Sequence, residues 1–445
     1  MSDIGVRTVV YCGQHRSHAD EFELWPGVTV RPVLPFNMDG GDPYQAPIYH
    51  LARIIDILRR GADESDAVYV HDSNLRFEFI ASGKPLVRGV FDLFYPHTLA
   101  GVIQSGDARL VANSDYVGNC IKEALRRFRT LGDNALRVVN TGFQEPRFRP
   151  GNVNQMRDRL RLPEDALPIL YPHRPDPTKG IFESLAVVQL LRKRLHADQF
   201  RSVRLLVSVW EDFEPGQGIE GLGEPYPTVF RQAAELGIAD KLHLHSWVPR
   251  HDMSNYYALG AATLSIGTFP EAFGHVHVES MLSGTPAITS RVAAYRTTVP
   301  EELARKVDPT DVEAAADQLV EVLGRRERTG APLQDHLRDK FGFERMLDGY
   351  SHAFFDHAEA REGPFTGVSV PVAAGTRLRI PPWAAALDSG YYNDYSGYAM
   401  DKRLEECLPF ILASTTVETL KERTSVSESD ILRWLRNGHL LSLNS

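Results

Sequence analysis

Phe269-Pro270-Glu271-Ala272-Phe273-Gly274-His275-Val276-His277-Val278-Glu279-Ser280-Met281-Leu282-Ser283-Gly284-Thr285-Pro286 sets two glutamates eight positions apart around a Phe-Gly turn. Gly274 lacks a Cβ, so backbone at this turn can approach a ligand closely. The turn opens a short helix whose first N–H groups and positive dipole end suit a phosphate. Gly284 stops that helix and Pro286 prevents its restart. Ala287-Ile288-Thr289-Ser290 reads as the next buried strand.

Upstream, Leu167-Pro168-Ile169-Leu170-Tyr171 reads as a strand, followed by a proline-stiffened loop from Pro172 to Gly180. Arg174 and Lys179 flank that loop at a five-residue offset, ahead of a helix through Ile181, Leu185 and Leu190. Two cations at a loop-helix junction form a diphosphate clamp, in which Arg grips two oxygens and Lys supplies a point charge. A solvated basic loop is the plainer reading of the same residues.

Together these segments resemble retaining GT-B glycosyltransferases of the group 1 type, which use nucleotide sugars. The resemblance spans roughly residues 65 to 357 and is strongest from 165 to 300. It implies an α/β fold with two Rossmann-like domains facing across a cleft. It implies that Glu271 lies at the donor's sugar, Phe273 and Gly274 at the diphosphate, and Glu279 at the ribose hydroxyls. Arg174 and Lys179 stand where the family carries its Arg and Lys. The backbone after the strand Leu242 to Ser246 would contact the base, which makes Trp247 and Val248 candidates there. Core packing is the other reading of Trp247. The family's chemistry needs no metal ion or other cofactor, and His275-Val276-His277 is a poor metal-ligand pattern.

Strands alternate with helices from the start of the chain, the pattern of a parallel sheet covered on both faces. Val6 to Gly13 reads as a first strand, with Gly13, Gln14 and His15 as a ligand-side loop. Val28 to Val33, Ala67 to Asp72, Lys84 to Asp92 and Arg109 to Ser114 follow as strands. Ser114 and Asp115 cap the next helix. Three departures from the family stand out. No glycine pair follows the first strand directly, although Gly40-Gly41 could substitute. Phe91 replaces a family histidine, so His71, Asp72 or His97 would supply that polar contact to the sugar. His173 and His275 are unusual for the family and would face the diphosphate, adding charge or donors.

At 445 residues with 43% apolar and 24% charged side chains, the chain reads as a multidomain globular protein. The expected division is residues 1–150, an acceptor domain; 151–340, a nucleotide-sugar domain; 341–363, a closing helix returning to the first; 364–382, a linker; and 383–445, a helical appendage. Asp308, with Pro309 following, is the expected cap of a helix through Val322. No membrane-spanning run or secretory signal is visible, and three scattered cysteines fit a reducing, cytoplasmic setting. The net charge of −9 argues against a protein that coats nucleic acid.

The tail carries Tyr391, Tyr392, Tyr395 and Tyr398 among small polar residues, which read as an ordered loop. Residues 415–440 resemble small helix-turn-helix folds of the excisionase and MerR type. Residues 401–445 hold six Lys or Arg against seven Asp or Glu, without the cationic surplus a recognition helix needs. The expected activity is transfer of a hexosyl group from a nucleoside diphosphate sugar to an acceptor hydroxyl with retention. Glu271, Arg174, Lys179 and His71 are the catalytic candidates. Arg174, Lys179, Glu271, Phe273, Gly274, Glu279, Val248 and Gly13 are the donor-binding candidates. A nucleic-acid acceptor brought in by the tail, a non-catalytic nucleotide-sugar binder, and a homo-oligomer stay open.

Overall fold

Six short apolar segments of the second half pair side by side as one all-parallel sheet. Their order is Leu242–Ser246, Val203–Val209, Leu167–Tyr171, Ala262–Ser265, Ala287–Ser290, Arg305–Val307. By sequence rank within the sheet this is 3-2-1-4-5-6, the doubly wound dinucleotide-fold order. Ile169 and Tyr171 pack into one core and Leu170 into another, so successive side chains serve opposite, covered faces. That two-sided burial explains why these strands read as nearly continuous apolar runs. The order reverses between Leu167–Tyr171 and Ala262–Ser265, and ligands of such sheets bind beyond the strand ends at that point.

The computed structural model describes residues 5–14, 20–37, 47–72, 78–81, 83–104, 106, 108–126, 129–132, 135–144, 148–210, 213, 221–356, 362–365 and 372–443. The chain forms two compact units. The first comprises 1–113, 128–139 and 346–366; the second comprises 114–127, 140–345 and 367–445. The chain therefore enters the second unit at Asn140, ten residues before the expected boundary near 150, returns to the first over 346–366, and lends the second the helix Asp115–Arg126 as well.

In the first unit, Val68–His71, Leu86–Val90, Arg109–Ala112 and Leu136–Val138 form a parallel sheet in that order. The first strand does not join it. Thr8–Gln14 pairs in parallel with Val28–Asn37, which pairs antiparallel with Phe22–Trp25. The reason is local: Pro26-Gly27, with Gly27 at φ 78°, makes a turn too short for anything but an antiparallel return. The helix Phe343–Phe355 changes units at Met346, and its later residues Tyr350, Ala353 and Phe354 pack on Val87 and Val111 of the first unit.

The tail holds the two expected helices, Val417–Arg423 and Glu428–Arg436, and before them another, Lys402–Leu412. Ser427 and Asp430 form the reciprocal capping box, and Gly438 takes φ 72° beyond the last turn. It is not purely helical. Ala384–Leu387, Gly390–Asn393 and Gly397–Tyr398 make an antiparallel sheet, and Leu378–Arg379, inside the expected linker, pairs with Leu441–Ser442. The tyrosine run is thus a strand meander, with Tyr391 fully buried. Asp308 is not the helix cap. Asp311 caps Val312–Arg325, because the Pro309-Thr310 turn, with Thr310 at φ 66°, delays the helix start. No helix among the described residues is long and apolar enough to cross a membrane.

Candidate functional site

Two loops leave the sheet at its reversal point, after Leu167–Tyr171 and after Ala262–Ser265, and backbone joins them. The amides of Thr268 and Phe269 donate to the Thr178 carbonyl at 2.8 and 2.9 Å. Glycine permits the approach: a Cβ on Gly180 (φ 86°) would stand 2.6 Å from the Gly267 nitrogen. Within the first loop, the Tyr171 hydroxyl donates to the Arg174 carbonyl at 3.0 Å. The Asp176 side chain accepts from the Thr178 amide at 2.7 Å.

This meeting brings Lys179 to Glu271, with Nζ 2.6 Å from Oε1. The ammonium also lies 3.5 Å from the Phe269 ring centroid. Arg174 is exposed and rests its guanidinium 4.6 Å over the Trp210 ring. Gly274, at φ 84°, is the N-cap of the His275–Leu282 helix. Among the described residues no acceptor takes the amides of Phe273, Gly274 or His275. Orphan donors at a helix N-terminus, with a lysine and an arginine on the neighbouring loop, are groups suited to an anion.

One helical turn on, Glu279 accepts from the Tyr257 hydroxyl at 3.0 Å. Burial raises its carboxyl to about 7, opposed by the Tyr257 hydrogen bond and the charge of Arg250. Burial holds the His173 imidazole down at about 3, with Lys179 adding to the effect, and its Nε2 lies 2.9 Å from Ser265 Oγ. Burial and Arg250 lower His275 as well. Both histidines keep accessible surface while protein surrounds them, as residues lining a recess do. Neither therefore brings the positive charge expected of it. His277 is buried against Tyr295 at 4.7 Å between ring centroids.

Val248 is buried beside Leu206 and Tyr257, so only its backbone is available to a base. Trp247 is 50% exposed and contacts Trp210 at 4.4 Å, which rules out the core-packing reading. Arg174, Lys179, Glu271, Phe273, Gly274, Glu279 and Val248 all belong to the second unit. Gly13 and His71 belong to the first. Gly13 is not in a loop: it is buried within Thr8–Gln14, at a register shift in the pairing. His71 is exposed at the end of its strand, 4.4 Å from the Phe91 ring and 3.6 Å from Asp72. Gly40, Gly41, His15 and the His97 side chain lie outside the described residues.

Sequence reading missed Trp210, Arg250, Tyr257, Tyr295 and Asp394. Arg250 had a legible signal, a cation in the loop directly after a parallel strand. The contacts of Tyr295 and Asp394 join segments far apart in the chain and had none. No group of three or more His, Cys, Asp or Glu among the described residues is placed to hold a metal ion. In the tail, Arg403 pairs with Asp430 and Arg433 with Asp401 and Asp430, so nothing there favours nucleic acid.

Comparison with known proteins agrees with this geometry. Residues 152–332 match the family model described as glycosyl transferases group 1. A D-inositol 3-phosphate glycosyltransferase of Saccharomonospora viridis is 30% identical, covering 79% of this chain and 84% of that protein. The like-named protein of Geodermatophilus obscurus is 29% identical over 81% of this chain and 82% of its own. Among solved structures, sucrose-phosphate synthase from Thermosynechococcus elongatus superposes with TM-score 0.63 at 18% identity, covering 80% of this chain and 91% of that one. Anabaena HepE, solved with UDP and glucose, does so with TM-score 0.56 at 17% identity, covering 74% and 86%. The fold is GT-B, with two Rossmann-like units, and the chain belongs to the group 1 glycosyl transferases.

Proposed function

We propose that the enzyme transfers a hexosyl group from a nucleoside diphosphate sugar to an acceptor hydroxyl, with retention at the anomeric carbon and without a metal ion. The observation that carries this is the convergence of Lys179, Glu271, Arg174 and the Gly274 helix start at the sheet's reversal point. The bond from the anomeric carbon to the diphosphate oxygen breaks, and one to the acceptor oxygen forms. Negative charge grows on the diphosphate, where Arg174, Lys179 and the amides of 273–275 would stabilise it. Preorganised donors of this kind contribute about 10²–10³-fold each. The acceptor's proton passes to the departing phosphate oxygen, so no protein nucleophile is needed. Glu271 would orient the sugar's hydroxyls and Glu279 the ribose's.

The relatives' names make inositol 3-phosphate the first acceptor to assay. Release of nucleoside diphosphate from a sugar donor, measured with wild type and with Glu271→Ala, tests the reading. Turnover in the wild type that falls about 10²-fold or more in the variant is expected. Equal turnover in both would remove Glu271 from the mechanism, and none in either would favour the non-catalytic binder.

A further inference from the structure

Three successive carbonyls of the loop that carries Glu271 are each held by a hydrogen bond, and all three bonds lead to one residue of the tail. The Glu271 carbonyl accepts from the Ala294 amide at 3.0 Å. The Ala272 carbonyl accepts from the Ser114 hydroxyl. The Phe273 carbonyl lies 3.0 Å from Thr298 Oγ1, whose single hydrogen it shares with the Ala294 carbonyl. Tyr295 closes the underside: a Cβ on Gly274 would meet its ring at 2.2 Å. These carbonyl bonds come from two places, the start of the helix Asp115–Arg126 and the turn 293–298.

Asp394 ties those two places together. Its Oδ1 accepts from the Ala293 amide at 3.0 Å and from Arg296 Nη1 at 2.7 Å. Its Oδ2 accepts from Arg296 Nη2 at 2.7 Å and from the Tyr116 hydroxyl at 2.9 Å. The carboxylate is fully buried. Ala293 has φ 46°, a left-handed conformation that a non-glycine residue keeps only when its surroundings impose it. The Asp394 bond to its amide is one such constraint. More tail contacts fasten the same body: Ser389 N–H and hydroxyl donate to Asp308 at 2.9 and 2.8 Å, and Arg379 pairs with Glu123.

We propose that Asp394 is a positioning residue for the 271–274 loop, and that the C-terminal module is a strap that sets this loop for the donor. The proposal rests on the reading that Glu271 meets the donor's sugar. It explains why the tail, which the second unit includes, buries a carboxylate against the turn that holds the loop. Asp394 touches no reacting atom; it acts through Ala293, Arg296 and Tyr116.

The test pairs Asp394→Asn with the double variant Arg296→Gln/Asp394→Asn, which removes both buried charges and keeps the shape. Hydrogen exchange on the full chain reads loop order without any ligand. The hydrogen-bonded amides of Phe269, Glu271 and 292–298 are expected to exchange about 10-fold faster, while those of 203–209 in the sheet keep their rates. UDP and UDP-glucose then serve as binding probes. UDP-glucose affinity is expected to fall about 5-fold and UDP affinity by less, because Glu271 meets only the sugar whereas the amides of 273–275 meet the diphosphate of both probes. Unchanged exchange in the two loops, or faster exchange everywhere including 203–209, would overturn the proposal. A wild type that binds neither probe counts against these donors, and the exchange pattern still decides the strap.

Discussion

Burial pushes the Glu279 carboxyl up to about 7, outweighing the Tyr257 hydrogen bond and the charge of Arg250, which both favour its ionised form. Its folded value of about 7 lies above the ordinary 4.5, so the folded state holds this proton more tightly than the unfolded chain. The resulting stability is fully present below pH 4.5 and is lost as pH rises through about 7. Glu279→Gln removes the titration. The variant should gain roughly 1–3 kcal/mol relative to wild type between acid and alkaline pH. Melting temperature against pH for both proteins checks this; parallel curves would show that folding leaves the proton affinity of Glu279 unchanged. The same burial that silences His173 and His275 leaves Arg174 and Lys179 as the cations at the anion site. That distinction depends on depth, which a histidine's place in the sequence does not reveal.

At the scale of elements, the decisive feature is the turn into the His275–Leu282 helix. Its Phe-Gly signal was legible because a left-handed residue and a close approach both demand glycine, and φ 84° at Gly274 meets that demand. Gly274→Ala adds a Cβ 2.2 Å from the Tyr295 ring at an unfavourable φ. A loss of roughly 1–3 kcal/mol is expected by denaturant unfolding. Gly324→Ala is the contrast: it lies within the Val312–Arg325 helix with nothing within 4 Å of the added atom. That change should stabilise by roughly 0.5–1 kcal/mol. If the two variants unfold alike, the turn is not under the constraint described. That Lys179 and Glu271 lie near one another was legible, since both follow strands that a parallel sheet brings to one edge; their direct ion pair was not. The delayed helix start at Asp311 and the short Pro26-Gly27 return were less so, because each turns on one or two residues of loop geometry.

For the whole molecule, the alternation of strands and helices was enough to indicate a parallel sheet, since only such a sheet buries these runs on both faces, whereas the two Rossmann-like units followed from the family resemblance, strongest over residues 165–300. The tail was the least legible part. Its helices announced themselves by capping residues, whereas its meander of Ala, Gly and Tyr carries no clear alternation. Its attachment through Asp394, Ser389 and Arg379 involves partners far away in sequence. The central claim, that the second unit binds a nucleoside diphosphate sugar through Arg174 and Lys179, is tested most directly by melting the full chain with a panel of nucleoside diphosphates and their sugar conjugates. The wild type and Arg174→Ala/Lys179→Ala would be compared, since a ligand that binds only the folded state raises the melting temperature by mass action. The account predicts a rise with one nucleotide class in the wild type that disappears in the double variant. No rise with any member of the panel, or an equal rise in both proteins, would contradict it.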